Sequence, residues 1–341
     1  MSHHRDFQGK DFQGWDFQRA YGGWGEQMKR KIIQHGPSTL IISLPSTWVK
    51  QNGIKKGDEL DVKEEGKTLI VGAVKANTQF LLSEDISKFK PFLVTRLLVR
   101  AYQKGYDRVH LTHNDVDLLK TIQEKILELI GFEIIEQNSK TCLIQSISSN
   151  IELDFENSLR KAFLITKQMI ETVSEAYSQG DTATLSSLYL KDIEVNRFTY
   201  FCLRQINKEQ YANAERSQQS HILYHLIELL ENLGDTISQY LSVQLSKAPK
   251  KNRDIMVLLK LLVEYYEVSY GYFYKPSVEK VNQAYALYGE ISKKIEAFVS
   301  SPSNPIEIMS IIHIKEASRL IYYFTTMRLD FLKESKLPPA Y

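Results

Sequence analysis

The apolar positions of this 341-residue chain follow a short, broken period at first and a helical period later. Between Arg30 and Val71, β-type runs at 32–33, 39–44, 59–62 and 68–71 are separated by glycine and proline, the pattern of hairpins. Gly36-Pro37 opens a turn, Pro45 ends the second run, and Gly53, Gly57 and Gly66 fall where the chain must reverse. Four short strands in about forty residues bury little surface, so this head is expected to form an intertwined dimer. Residues 92–102 predict a helix with Leu93, Leu97, Leu98 and Ala101 on one side, and 108–111 predicts a strand. A helix over 115–130, capped at Asn114 and stopped at Gly131, is followed by strands at 132–137 and 141–146.

From residue 151 the period is helical, with helices predicted at 152–179, 181–207, 215–246, 252–273, 276–300 and 305–334. Six helices of this length fit two consecutive three-helix units. The expected fold class is therefore multidomain α+β. Its parts are a disordered tail (1–25), a β-rich head (26–75), a small α/β connector (76–150) and a helical body (151–335, with units 152–246 and 252–335). The tail carries Asp-Phe-Gln three times at a five-residue period, which matches neither helix nor strand.

Composition narrows the functions open to the chain. Hydrophobic residues make up 43%, charged residues 25%, and the net charge is +2, so any nucleic-acid contact must be local rather than global. The head supplies such a locality, with nine Lys/Arg against six Asp/Glu between Glu26 and Lys75. Lys29, Arg30 and Lys31 together can face neighbouring phosphates, and Gln34, Ser38 and Thr39 are the polar side chains able to read a groove edge. Cys142 and Cys202 match no disulfide or zinc pattern, and no apolar run of spanning length exists, which predicts a cytoplasmic protein without direct membrane insertion.

The order basic residue, Gly36, Ser38-Thr39, Ile42-Ser43-Leu44-Pro45, Trp48, Gly53, Lys56-Gly57-Asp58 and then a hairpin resembles the AbrB/SpoVT swapped-hairpin DNA-binding domain. It is most similar to the version that archaea place in front of a PhoU-like domain. The resemblance implies a homodimer through the head, double-stranded DNA as partner, and regulation of phosphate uptake. The helical body would then meet a phosphate transporter or a histidine kinase.

One helix of the body carries candidate chemistry. Along 215–246, Ile222, Leu223, Leu226, Leu229, Leu230, Leu233, Ile237 and Leu241 fall on one side. His221, His225, Glu228, Glu231 and Asp235 fall opposite, at spacings that bring side chains together, and imidazole with carboxylate can hold a divalent or ferric ion. Leu230 to Gln239, LENLGDTISQ, resembles the PhoU motif that places a glutamate and, four residues on, an aspartate, here Glu231 and Asp235. The partner motif, KDIEVNRF, keeps Asp192 with Glu194 nearby but has Asn196 in place of a second aspartate. The resemblance implies iron or zinc on this first unit. In the second unit Val278 and Leu320 stand where acids are needed, beside Asn282 and Glu316.

No nucleophile elbow, P-loop, dinucleotide fingerprint or zincin helix is present, and carboxylates on an exposed helix face lack the desolvation that separates acid from base. The chain is therefore expected not to be an enzyme. The sequence predicts a DNA-binding regulator; the alternative is an adaptor whose head only dimerises and whose body docks on a transporter or kinase.

Overall fold

The computed structural model describes residues 29–65, 68–73, 80–147, 154–208, 219–247, 251–300 and 304–331. The N-terminal tail and Gly66 lie outside them. Contacts divide the chain into two compact units at the Ala76–Asn77 bond.

In the first unit, β1 (Ile32–His35) pairs antiparallel with β2 (Thr39–Ile42), and β3 (Leu60–Glu65) pairs with β4 (Thr68–Ala73). Each hairpin is a sheet of its own. Gly36 sits at φ +77°, a conformation that its lack of a Cβ makes accessible, so β1 can fold straight back onto β2. The run expected as a strand over 39–44 stops at Ile42, and a six-residue helix, α1 (Ser46–Gln51), follows where only strands and turns were predicted. Proline at position 45 supplies the extended entry, its carbonyl accepting from Val49 N at 2.9 Å, and Asn52 Nδ2 closes the helix on Trp48 O at 2.8 Å.

The second unit begins with an α/β module: β5 (Leu81–Asp85), α2 (Pro91–Gln103), β6 (Arg108–Thr112), α3 (Val116–Ile126), β7 (Phe132–Gln137) and β8 (Thr141–Ser146). The sheet order is β5-β6-β8-β7, with β5 and β6 parallel and the other pairs antiparallel. The sequence reading missed β5, because an edge strand reading Leu-Leu-Ser-Glu-Asp has only two apolar residues to mark it. It also ran α3 four residues too far. Asp115, not Asn114, caps α3 by accepting from Asp117 N, and the chain leaves the helix before Gly131. Both helices cover one sheet face, with Val94, Leu98 and Tyr102, then Leu118 and Ile122, buried against Val109, Leu111 and Ile144.

The remainder is helical: α4 (Phe155–Gln179), α5 (Thr182–Ser187), α6 (Tyr189–Asn207), α7 (Ser220–Lys247), α8 (Arg253–Tyr274), α9 (Val278–Val299) and α10 (Pro305–Met327), closed by a 3-10 turn (Arg328–Phe331). The single helix predicted over 181–207 is broken at Leu188, after a run in which Ser186 and Ser187 hydroxyls bond back to the Thr182 and Thr184 carbonyls. Helices α4, α6 and α7 pack together, as do α8, α9 and α10, and the pairs α4–α8 and α7–α10 join the two sets around one continuous apolar core.

Helix α6 ties that body to the α/β module. Tyr200 projects into the module's core. One turn further on, buried Arg204 donates to the Tyr102 and Tyr106 carbonyls at 2.9 and 2.7 Å and lies over the Tyr102 and Phe132 rings. Asp107 completes the clamp, paired with Arg204 at 3.4 Å and with Lys208. A buried guanidinium satisfied by carbonyls, a carboxylate and two aromatic faces holds geometry firmly, since any slippage strands its charge in a dry interior.

Candidate functional site

In the head, Lys29, Arg30 and Lys31 are exposed at the open end of the first hairpin. Gln34 lies on β1, and Ser38 and Thr39 border the turn, all exposed. Lys31 and His35 are separated by about 13 Å of extended chain. The cations and the polar side chains therefore mark opposite ends of the hairpin instead of one cluster. The turn end gains His35, cross-strand partner of Thr39, which the sequence reading passed over although it stands beside the Gly36 turn.

The apolar side chains of this hairpin decide what the head can be alone. Ile32, Ile33, Leu40, Ile41 and Ile42 are all exposed, Ile33 at 58% and Leu40 at 67%, and successive residues of a strand point to opposite faces. Both faces of the hairpin are thus apolar and open. Val62 and Leu69 add the same feature on the second hairpin, and no described side chain of the head is buried.

In the body, the structure divides the polar face predicted for α7. His221 and His225 are exposed, while Glu228 reaches Arg100 of α2 at 3.4 Å. Glu231 and Asp235 turn into the seam with α6, where Asp192, Asn196 and Tyr200 follow one another at four-residue spacing on the facing helix. Tyr200 Oη donates to Glu231 Oε1 at 3.2 Å. Gly234 permits the close approach: a Cβ there would stand 3.2 Å from Asp192 Oδ1 and 3.3 Å from Val195 Cγ1. Glu194, by contrast, pairs with Lys191 at 3.3 Å.

This seam is desolvated, so the expectation of carboxylates on an exposed face is overturned. Burial and then the Asp235 charge push the Asp192 carboxyl up to about 6, with the Ser238 hydroxyl opposing. Burial and then Asp235 push Glu231 to about 7 against the Tyr200 hydrogen bond. Burial raises Asp235 as well, opposed by the Arg96 and Lys125 charges from α2 and α3. Asp192 Oδ1, Asn196 Oδ1, Ser238 Oγ and Glu128 Oε2 are buried without a well-formed hydrogen bond. Glu128, Lys125, Arg96, Ser238 and Tyr200 complete the group. Among these, Tyr200 and Ser238 had a sequence signal, Tyr200 standing eight residues after Asp192 on α6 and Ser238 seven after Glu231 on α7.

The arrangement is a desolvated acid cluster, in which burial and mutual repulsion favour the protonated carboxyl. Among the described residues, no three or more His, Cys, Asp or Glu side chains are grouped to hold a metal ion. The two histidines that completed the expected ligand set face solvent, and no described helix is long and apolar enough to cross a membrane.

No curated protein and no solved structure matches the chain. Residues 33–79 match the family described as antidote-toxin recognition MazE, bacterial antitoxin. Together with the observed hairpins, this makes the head a MazE/AbrB-like domain, of the swapped-hairpin class that binds DNA.

Proposed function

We propose that the chain is a dimeric transcriptional regulator in which two heads interleave their hairpins on duplex DNA and the helical unit receives the signal. The observation that carries this reading is the open apolar surface on both hairpins. Seven exposed aliphatic side chains, each contributing about 1.5–3 kcal/mol when buried, give a second copy on the order of 10 kcal/mol to gain. Dimerisation doubles the head's positive charge. Lys29, Arg30 and Lys31 then supply affinity through phosphates, and Gln34, His35, Ser38 and Thr39 at the turn supply contacts to base edges.

The link to phosphate uptake rests on the PhoU resemblance of the α6 and α7 motifs, supported by the packing of the body as two sets of three helices. The receiving element in this reading is the α6–α7 seam, whose charge state acts on the α/β module through Arg96, Lys125 and Glu128. The match to an antitoxin family ends at residue 79, and toxin recognition is not carried over to the separate unit that follows.

Binding of the full chain to fragments from upstream of its own gene, at about 50 and 200 mM salt, tests the reading. The wild type should prefer particular fragments and weaken steeply with salt. Changing Lys29, Arg30 and Lys31 together to Ala should lower affinity and flatten the salt slope by about three per head. Absence of binding by the wild type at both salts would leave the adaptor reading, in which the head only dimerises and the body docks on a transporter or kinase.

A further inference from the structure

The α/β module contains a buried imidazole that none of the above uses. His113 is 2% exposed, and neither ring nitrogen has a hydrogen-bond partner. A neutral imidazole carries one donor and one acceptor, and leaving both dry is costly, so an unoccupied pair in a folded core points to a missing partner.

Its place in the fold says what that partner is. The β6–β8 ladder continues through His113, whose amide donates to Lys140 O at 2.7 Å. Val109 and Leu111 precede it at two-residue spacing on the helix-covered face, so its imidazole is turned to that same face. Because β5 and β6 are parallel and each leads into a helix, α2 and α3 both begin at the strand ends where His113 lies. The start of α3 is capped by Asp115. The thirteen-residue α2 has no side-chain cap and no acid in its first turn; Lys90 occupies its N-cap position.

The surrounding charges favour one ligand class. Asp85 accepts from Ser87 N at 2.9 Å, and Asp115 accepts from Asp117 N, so these two acids are committed to backbone amides, while Asp117 serves the first turn of α3. Lys88 and Lys90 are exposed and form no ion pair among the described residues, although Lys88 lies near enough to Asp85 to act on its charge. An uncapped helix start, two lysines and a buried ring able to donate from either nitrogen are complementary to a negative oxygen group. We infer that the His113 end of the α/β module binds a small oxyanion, held between the His113 imidazole and the start of α2.

The test uses the full chain and follows its melting temperature in sulfate, inorganic phosphate or acetate against chloride at equal ionic strength. Sulfate and phosphate should raise it saturably; a rise with acetate in their place would assign the site to a planar carboxylate. Lys90→Ala should weaken the apparent affinity about three- to tenfold, and His113→Leu should abolish the response. A companion variant with Lys29, Arg30 and Lys31 changed to Ala should keep the full response, which separates this site from anion binding by the head. Two outcomes would overturn the inference: a wild type that no anion stabilises beyond chloride, or a Lys90→Ala protein, folding being unaffected at that exposed position, that responds as the wild type does.

Discussion

The head and the helical body handle apolar side chains in opposite ways. In the body the heptad-like apolar residues of α7, such as Leu226, Leu230 and Leu233, are fully buried within one chain. In the head, Ile32, Ile33, Leu40 and Ile42 carry as much hydrophobic character and each stays more than half exposed. Size and geometry account for the difference. The six long helices described in the body can close around a core of their own, whereas two hairpins and a six-residue helix present more apolar surface than they can cover. The comparison teaches that the body closes a core within one chain and that the head leaves its apolar side chains open within one chain.

The strongest way to break this contrast is to place charge on the head's open faces. Ile33→Lys combined with Leu40→Lys should dissociate the dimer, at a cost of about 5 kcal/mol or more, corresponding to over a thousandfold in Kd. Sedimentation velocity would read the loss of dimer, while far-ultraviolet circular dichroism should retain the helical signal of the body. A lysine at Leu164, an exposed position on α4, should change neither. A monomeric wild type would defeat the comparison.

The second effect lies inside the larger unit. Arg204→Ala removes a buried cation from Asp107 and from two carbonyls, and should destabilise that unit by about 3–5 kcal/mol. Amide exchange should quicken in both α2 and α6, because one side chain serves both. Exchange that quickens in α6 alone would mean that the module and the helices are held together elsewhere.

A smaller effect follows from the acid seam. Carboxyls raised in the folded state bind protons that the unfolded chain has already released, so stability is highest below the unfolded values near 4 and falls as pH rises toward the folded values near 6 and 7. Thermal melts should show the larger unit losing about 2 kcal/mol between pH 5 and 8. Glu231→Gln combined with Asp192→Asn should flatten that slope and raise the melting temperature at pH 8. An unchanged slope in the double variant would show that the seam carboxylates do not couple to folding.

The comparison also marks how far the sequence could be read. Hairpins punctuated at Gly36 and the long helices from residue 155 onward were legible because turn chemistry and the 3.6-residue period are local properties. The edge strand at Leu81–Asp85, helix α1 and the break at Leu188 were not, since each depends on a few residues whose preferences neighbours override. For the candidate site, the acids Asp192, Glu231 and Asp235 were visible as motifs, but α7 was misread as offering Glu231 and Asp235 to solvent together with His221 and His225.

By itself the sequence determined the hairpins of the head, the helical identity of the body and the helix positions of Asp192, Glu231 and Asp235, because these follow from composition and spacing along the chain. Only the tertiary structure decided that Tyr200 and Arg204 fasten α6 into the α/β module, that Arg96, Lys125 and Glu128 surround the seam, and that His113 is buried without a partner. Those facts depend on which distant segments exclude water from one another. Desolvation, which sets both the raised carboxyls and the cost of an unpaired imidazole, is a property of the packed molecule and of no single stretch of its chain.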